Sequence, residues 1–127
     1  FMFSALDIGN PHVIFEVESV VQAPVKDLGT FLQTQALFPE RVNAGFCETL
    51  SSSEINLRVF ERGVGETQAC GSGACAAVIA GHRMGQLGES VRVNLSGGAL
   101  HIDYAGEGEP VFLSGPATTV YHGKLVL

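Results

Sequence analysis

The sequence predicts an α+β fold in which a curved, mixed, barrel-like β-sheet wraps around a buried helix of small residues. Three observations carry that expectation. Short β-forming segments punctuated by glycine recur along most of the 127 residues. One stretch, running from Gly73 to Met84, is nearly apolar all round, as a helix enclosed by other elements must be. Finally, hydrophobic residues make up 46% of the chain and charged ones only 16%, against about 25% charged in an average globular protein. Such a chain folds around a single core rather than remaining disordered.

The elements follow in order. Val13 to Glu18 mixes β-formers with late alternation and reads as a strand. Pro24 suits a first helical turn, and Val25, Leu28, Phe31 and Leu32 follow at helical spacing, so a helix is expected from Pro24 to Gln35. Val42 to Leu50 reads as a strand interrupted at Gly45. Glu54 to Glu61 alternates cleanly, with Ile55, Leu57 and Val59 on one face. A glycine-rich turn, Arg62 to Ser72, leads into the apolar helix, whose His82 and Arg83 suit the negative pole of its dipole. Val91–Leu95 and Leu100–Tyr104 flank Gly97-Gly98 as a β-hairpin, and two short strands are expected at Val111–Leu113 and Thr119–Val126.

Composition excludes several classes of function. Seven Lys and Arg against thirteen Asp and Glu leave a net charge of −6, which provides no basic surface for nucleic acid. No apolar run approaches the ~20 residues that cross a bilayer as a helix, so no membrane partner is expected. Cys47, Cys70 and Cys75 are too few and too irregular for a disulfide framework, and no export signal opens the chain. A reducing, cytoplasmic setting is the expectation. The chain begins with Phe1 and its only early methionine is Met2, which suggests processing or truncation.

The chemistry concentrates in Glu61 through Cys75. Cys70 and the run Gly71-Ser72-Gly73 stand at the mouth of the buried helix. A helix's first turn leaves backbone N–H groups unpaired, and its dipole adds roughly half a positive charge there. Glycines let an anion approach that backbone, which makes a carboxylate or phosphate cradle. The same field favours a thiolate at Cys70 over the thiol. A thiolate beside an anion cradle is suited to removing a proton from a carbon next to a carboxylate. Cys75 within the helix and Cys47 within a strand read as core cysteines.

Competing motifs are weaker. The two nearest cysteines are five apart with no second Cys-x-x-Cys or paired histidines, so no metal site is expected. Gly71 to Ala76 fits a loosened dinucleotide fingerprint, but a loop of about ten residues precedes it and no acidic residue ends the next strand, whereas the fingerprint expects one ~20 residues on. The surrounding strands also look antiparallel rather than doubly wound. A P-loop would need a lysine after its last glycine, where Ser72 stands instead. His12, after Gly9-Asn10-Pro11, reads on residue type as a surface or capping residue. Asn43 needs partners if buried, and Glu61-Arg62 reads as a solvated pair.

Taken together, Gly9-Asn10-Pro11-His12, Phe38-Pro39-Glu40-Arg41-Val42-Asn43, the run from Glu61 to Ala77 and the closing Gly115-Pro116-Ala117 with Val120-Tyr121 resemble the second half of the diaminopimelate epimerase family. The resemblance implies one lobe of that family's fold, with residues 1–115 as the catalytic lobe and 116–127 as a final strand that packs back onto the missing N-terminal lobe. It also implies an isomerase that interconverts LL- and meso-diaminopimelate without pyridoxal phosphate or any other cofactor, on the route to lysine and peptidoglycan. Two cysteines on opposite faces of the α-carbon give inversion. By the resemblance, Cys70 is one of them, assisted by His12 and Glu61. Gly71 and Ser72 offer N–H groups to the reacting carboxylate. Asn10, Asn43 and Arg62 hold the distal end of the substrate.

The opposing cysteine belongs to the missing half, and neither Cys47 nor Cys75 matches it. The chain alone is therefore expected to be inactive and, through its uncovered last strand, to dimerise or exchange strands. The alternatives are another cofactor-independent isomerase of this fold, such as a proline racemase or phenazine-biosynthesis relative, or a non-catalytic anion-binding module.

Overall fold

A computed structural model describes residues 2–127. Among these it places eight strands and two helices: β1 (Phe3–Asp7), β2 (Pro11–Glu16), α1 (Val25–Leu32), β3 (Asn43–Ser51), β4 (Glu54–Glu61), β5 (Gly65–Thr67), α2 (Gly71–Arg83), β6 (Ser90–Leu95), β7 (Gly98–Tyr104) and β8 (Val111–Ser114). All eight strands join one mixed sheet in the order β1-β2-β3-β4-β6-β7-β8, with β5 paired to β4. The predicted α+β class, with a curled sheet around a small-residue helix, is what the chain adopts.

The alternation of each strand sets the two layers. Ile14, Ile55, Leu57 and Val59 face α2, together with Val91, Val93 and Ile102. Val13, Phe15, Ala44 and Phe46 face α1 instead, meeting Val25 and Leu32. The sheet therefore carries one helix on each face. From Gly73 to Gly81 every residue of α2 is buried. Small side chains allow this enclosure, and each buried valine or isoleucine adds about 1.5–3 kcal/mol of hydrophobic stabilisation. On the other face, Gly29 of α1 lies so close to β4 that a Cβ there would overlap the Phe60 ring.

Several expectations are corrected. The strands around α2 are not all antiparallel: β4 pairs parallel with β6 across α2, and β2 pairs parallel with β3 across α1. Parallel neighbours need a crossover of about a dozen residues or more, and the helices supply it. The turn predicted from Arg62 to Ser72 holds β5, and α2 starts two residues earlier than expected, at Gly71. The first helix is shorter than Pro24 to Gln35, because Gln33 closes it as the C-cap. An unforeseen strand, β1, pairs antiparallel with β2. The strand expected at Thr119–Val126 does not form: residues 115–127 pair with no strand among the described residues and are exposed throughout. A strand exists only through its pairing, and no sheet edge among the described residues meets that segment.

Candidate active site

The topology brings the starts of β2 and β3 and the end of β4 to one rim of the sheet. His12 and Asn43 are direct partners in the parallel β2–β3 register. Because β4 runs antiparallel to β3, with Phe60 opposite Ala44, its last residue Glu61 and the following Arg62 arrive beside Asn43. The short β5 then turns the chain back against β4, pairing Gly65 with Glu61, and delivers it to the mouth of α2.

Cys70 is the N-cap of α2, with an extended backbone at φ −145° and ψ 105°. Its sulfur takes the capping role usually filled by oxygen, accepting the N–H of Gly73 at 3.3 Å. Ser72 Oγ lies 3.6 Å from the same sulfur. The residue is only 7% exposed, so its side chain sits at the edge of the core rather than in an open cradle. Gly71 and Ser72 form the first turn, where N–H groups have no acceptor within the helix.

A chain of polar contacts runs from this sulfur to His12. Asn10 Nδ2 donates to Ser72 Oγ at 3.4 Å, and Asn10 Oδ1 lies 3.0 Å from His12 Nε2. An amide oxygen only accepts, so His12 carries its proton on Nε2 and keeps a lone pair on Nδ1. That Nδ1 is buried and has no hydrogen-bond partner among the described residues. His12 is 1% exposed, which corrects the surface or capping role that its residue type suggests. Burial holds its imidazole below the ordinary 6.5; Asp7 opposes that, Arg62 reinforces it, and Glu61 opposes it.

The remaining candidates are fixed from the rim. Asn43 Oδ1 accepts the backbone N–H of Arg62 at 3.0 Å, while Arg62 Nη1 donates to the Glu40 carbonyl at 3.2 Å. Glu61 is half-buried and accepts a 2.5 Å hydrogen bond from Thr67 Oγ1. Among the described ion pairs none joins Glu61 to Arg62, so the solvated-pair reading of these neighbours does not hold. Thr67 was not singled out in the sequence, although its place in Gly65-Glu66-Thr67, beside the end of β4, was the available signal.

The structure thus gathers Cys70, Ser72, Asn10 and His12 into one hydrogen-bonded line and ties Asn43 to Arg62. It places no hydrogen bond directly between Cys70 and His12. The other cysteines sit in the core. Burial pushes the Cys47 thiol up to about 12, and burial with the neighbouring Cys70 raises that of Cys75. Among the described residues no three His, Cys, Asp or Glu side chains gather as a metal-ligand set.

The model of the diaminopimelate epimerase family matches residues 4–120. A diaminopimelate epimerase from Teredinibacter turnerae is 52% identical over 124 residues, which cover 98% of this chain and 45% of that protein. The chain therefore spans less than half the length of this curated relative. Among solved structures, a protein described as a predicted epimerase from Pseudomonas aeruginosa superposes with a TM-score of 0.60 at 15% identity, covering 83% of this chain and 36% of that one. A PhzF-family phenazine biosynthesis protein from Bacillus anthracis gives 0.58 at 20% identity, covering 87% and 37%. At these identities the likeness shows a shared fold and nothing finer.

Proposed function

The chain belongs to the diaminopimelate epimerase family, and on that premise we propose that it is the lobe bearing one of two opposed proton-transfer groups of a cofactor-independent epimerase acting on diaminopimelate. Cys70 exchanges the α-proton on one face of the substrate carbon. The electron pair left behind is drawn toward the adjoining carboxylate, which lies against the Gly71 and Ser72 N–H groups. A donor there strengthens as charge builds on the carboxylate, so it lowers the barrier more than it tightens binding. A group from the family's other lobe returns a proton on the opposite face, and that inverts the centre.

His12 and Glu61 assist the sulfur. With Nδ1 unprotonated and buried, His12 stores a basic site close to the reacting region, and Glu61 stabilises the imidazolium when the ring takes up a proton. Asn10, Asn43 and Arg62 bind the distal amino-acid end, the exposed guanidinium offering a planar fork to a carboxylate. Distal recognition is what separates this substrate from ordinary amino acids. The setting is the cytoplasmic route to lysine and peptidoglycan.

Residues 1–115 form the catalytic lobe, and residues 116–127 are a final strand that packs back onto the family's N-terminal lobe. Alone, the chain does not epimerise, and its exposed Val120, Tyr121, Leu125 and Val126 promote dimerisation or strand exchange. The observation that carries the proposal is the polar line from Cys70 through Ser72 and Asn10 to His12, built by residues as much as 62 positions apart. The test adds a matching N-terminal lobe from a family member and follows α-proton exchange of diaminopimelate in deuterated water. Exchange is expected in the mixture alone and is lost with Cys70→Ala. Exchange that survives Cys70→Ala, or turnover by the isolated chain, overturns it.

A further inference from the structure

The loop that delivers Cys70 is held from an unexpected direction. The tip of the β6–β7 hairpin, about thirty residues later in the sequence, lies on Gln68. The Gly97 N–H donates to the Gln68 carbonyl at 2.8 Å, and Ser96 Oγ donates to the same oxygen at 3.4 Å. The hairpin behind this tip is firm. It pairs in unbroken register from Ser90 opposite Asp103 to Leu95 opposite Gly98, and its Val91, Val93 and Ile102 are fully buried against α2.

The two tip glycines do different work. Gly98 carries the left-handed backbone, with φ of +138°, and a Cβ there would meet nothing within 4 Å. Gly97 has no such conformational demand. A Cβ at Gly97 would instead stand 2.9 Å from the Gln68 carbonyl oxygen, 3.2 Å from its Cβ and 3.3 Å from its carbonyl carbon. Two of those atoms are backbone, so the loop itself would have to move. Two residues further on is the sulfur whose contacts with Gly73 N–H and Ser72 Oγ leave little latitude.

We infer that Gly97 is a positioning residue, through which the β6–β7 hairpin tip clamps the 68–70 loop and sets Cys70 on the mouth of α2. The inference rests on the proposed function only in treating Cys70 as the reacting group. β5 holds the loop from one side, with Thr67 opposite Val59, and the hairpin tip closes it from the other. The clamp acts on where the sulfur sits, not on the substrate.

The test compares Gly97→Ala with Gly98→Ala in the full 127-residue chain. Each variant burdens the same hairpin tip, one by crowding Gln68 and the other by straining a positive φ. Iodoacetamide alkylation is read for each cysteine by peptide mass mapping, alongside amide chemical shifts of residues 68–73. Gly97→Ala is expected to slow Cys70 by on the order of tenfold, the scale of one hydrogen bond lost, and to shift the 68–73 amides. Gly98→Ala should lower the melting temperature while leaving the Cys70 rate and those amides near their original values.

Equal Cys70 rates and equal shifts in the two variants overturn the clamp. If Gly97→Ala does not fold, Ser96→Ala takes its place. It deletes only the 3.4 Å bond and should give a smaller slowing, no slowing counting against the clamp. An unaltered chain whose Cys70 reacts no faster than Cys47 removes the proposed function, whereas amide shifts confined to 68–73 in Gly97→Ala still uphold the clamp.

Discussion

The side chain of Asn43 holds the backbone N–H of Arg62 at 3.0 Å. A residue 4% exposed at the start of β3 thereby fixes the residue just beyond the end of β4. Its amide orders the rim on which Arg62 stands.

Asn43→Ala should therefore destabilise the fold by about 0.5–1.5 kcal/mol, the net worth of the part-buried hydrogen bond it loses. Urea denaturation measures this directly. Asn43→Asp, which keeps the acceptor, should recover a good part of the loss above neutral pH. Loss of substrate binding with unchanged stability would show that the contact with Arg62 N–H is incidental.

His12 makes stability depend on pH. Its folded value lies below the ordinary 6.5, so as pH falls the unfolded chain takes up the proton first. Stability that comes from the neutral, buried ring is thus fully present above pH 6.5 and drawn down below it. Replacing His12 with Gln should flatten the stability profile between neutrality and about pH 5, above the range where ordinary carboxylates titrate. Identical slopes for both proteins would contradict this.

Cys47 should be inert in the native state. With its thiol pushed up to about 12, almost none is thiolate at neutral or mildly alkaline pH. Iodoacetamide mapping should find it unmodified until the protein unfolds. The sign for stability is the opposite of that for His12: the contribution of the neutral thiol is present below its unfolded value of 9.0 and fades as pH rises from there toward about 12. Modification at pH 8 in step with an exposed model thiol would overturn the assignment.

Thr67 anchors Glu61, and Thr67→Val removes that donor while keeping the shape. In the two-lobe mixture, α-proton exchange should fall by about tenfold, the scale of one general acid–base contact weakened. Combined with Glu61→Gln, the second substitution should cost less than it does alone, because both act through one carboxylate. Strict additivity in that double-mutant cycle would separate Thr67 from the site.

Gly29→Ala should cost about 1–3 kcal/mol through overpacking, because the Phe60 ring fills the space a methyl would need. Adding Phe60→Leu should relieve the clash in part. A neutral Gly29→Ala would mean that α1 stands further from β4 than the structure has it.

Much of this was legible in residue patterns, for identifiable reasons. β4 matches its sequence reading from Glu54 to Glu61 because strict alternation of Ile55, Leu57 and Val59 marks one buried face. The hairpin and α2 were equally plain, one from Gly97-Gly98 between alternating segments and the other from its run of small apolar residues. β1 escaped because Ser4, Ala5 and Asp7 are weak β-formers, and only pairing with β2 makes them a strand. β5 is three residues long, too short to show a period.

The tail failed in the opposite sense. Val120, Tyr121 and Val126 favour strands, but propensity alone makes none where no strand among the described residues pairs with them. Within the site, the helix mouth at Cys70 was readable from its glycines. The burial of His12 was not: its flanking Asn10 and Pro11 look like surface, and it is the registers with Leu6 on one side and Asn43 on the other that enclose it. Nor could any local pattern disclose that Asn10 would reach Ser72, or that Gly97 would rest on Gln68.

The two parallel crossovers also govern how the chain comes into being. Such pairings span long excursions, here residues 17–42 and 62–89, and closing them is slow compared with forming a hairpin. His12 meets Asn43 only when the first has closed, and Gln68 gains its hairpin neighbour only when the second has. Until both have closed, Cys70 has only its local contacts with Gly73 N–H and Ser72 Oγ, without the Asn10–His12 line that reaches Ser72 or the hairpin tip that rests on Gln68.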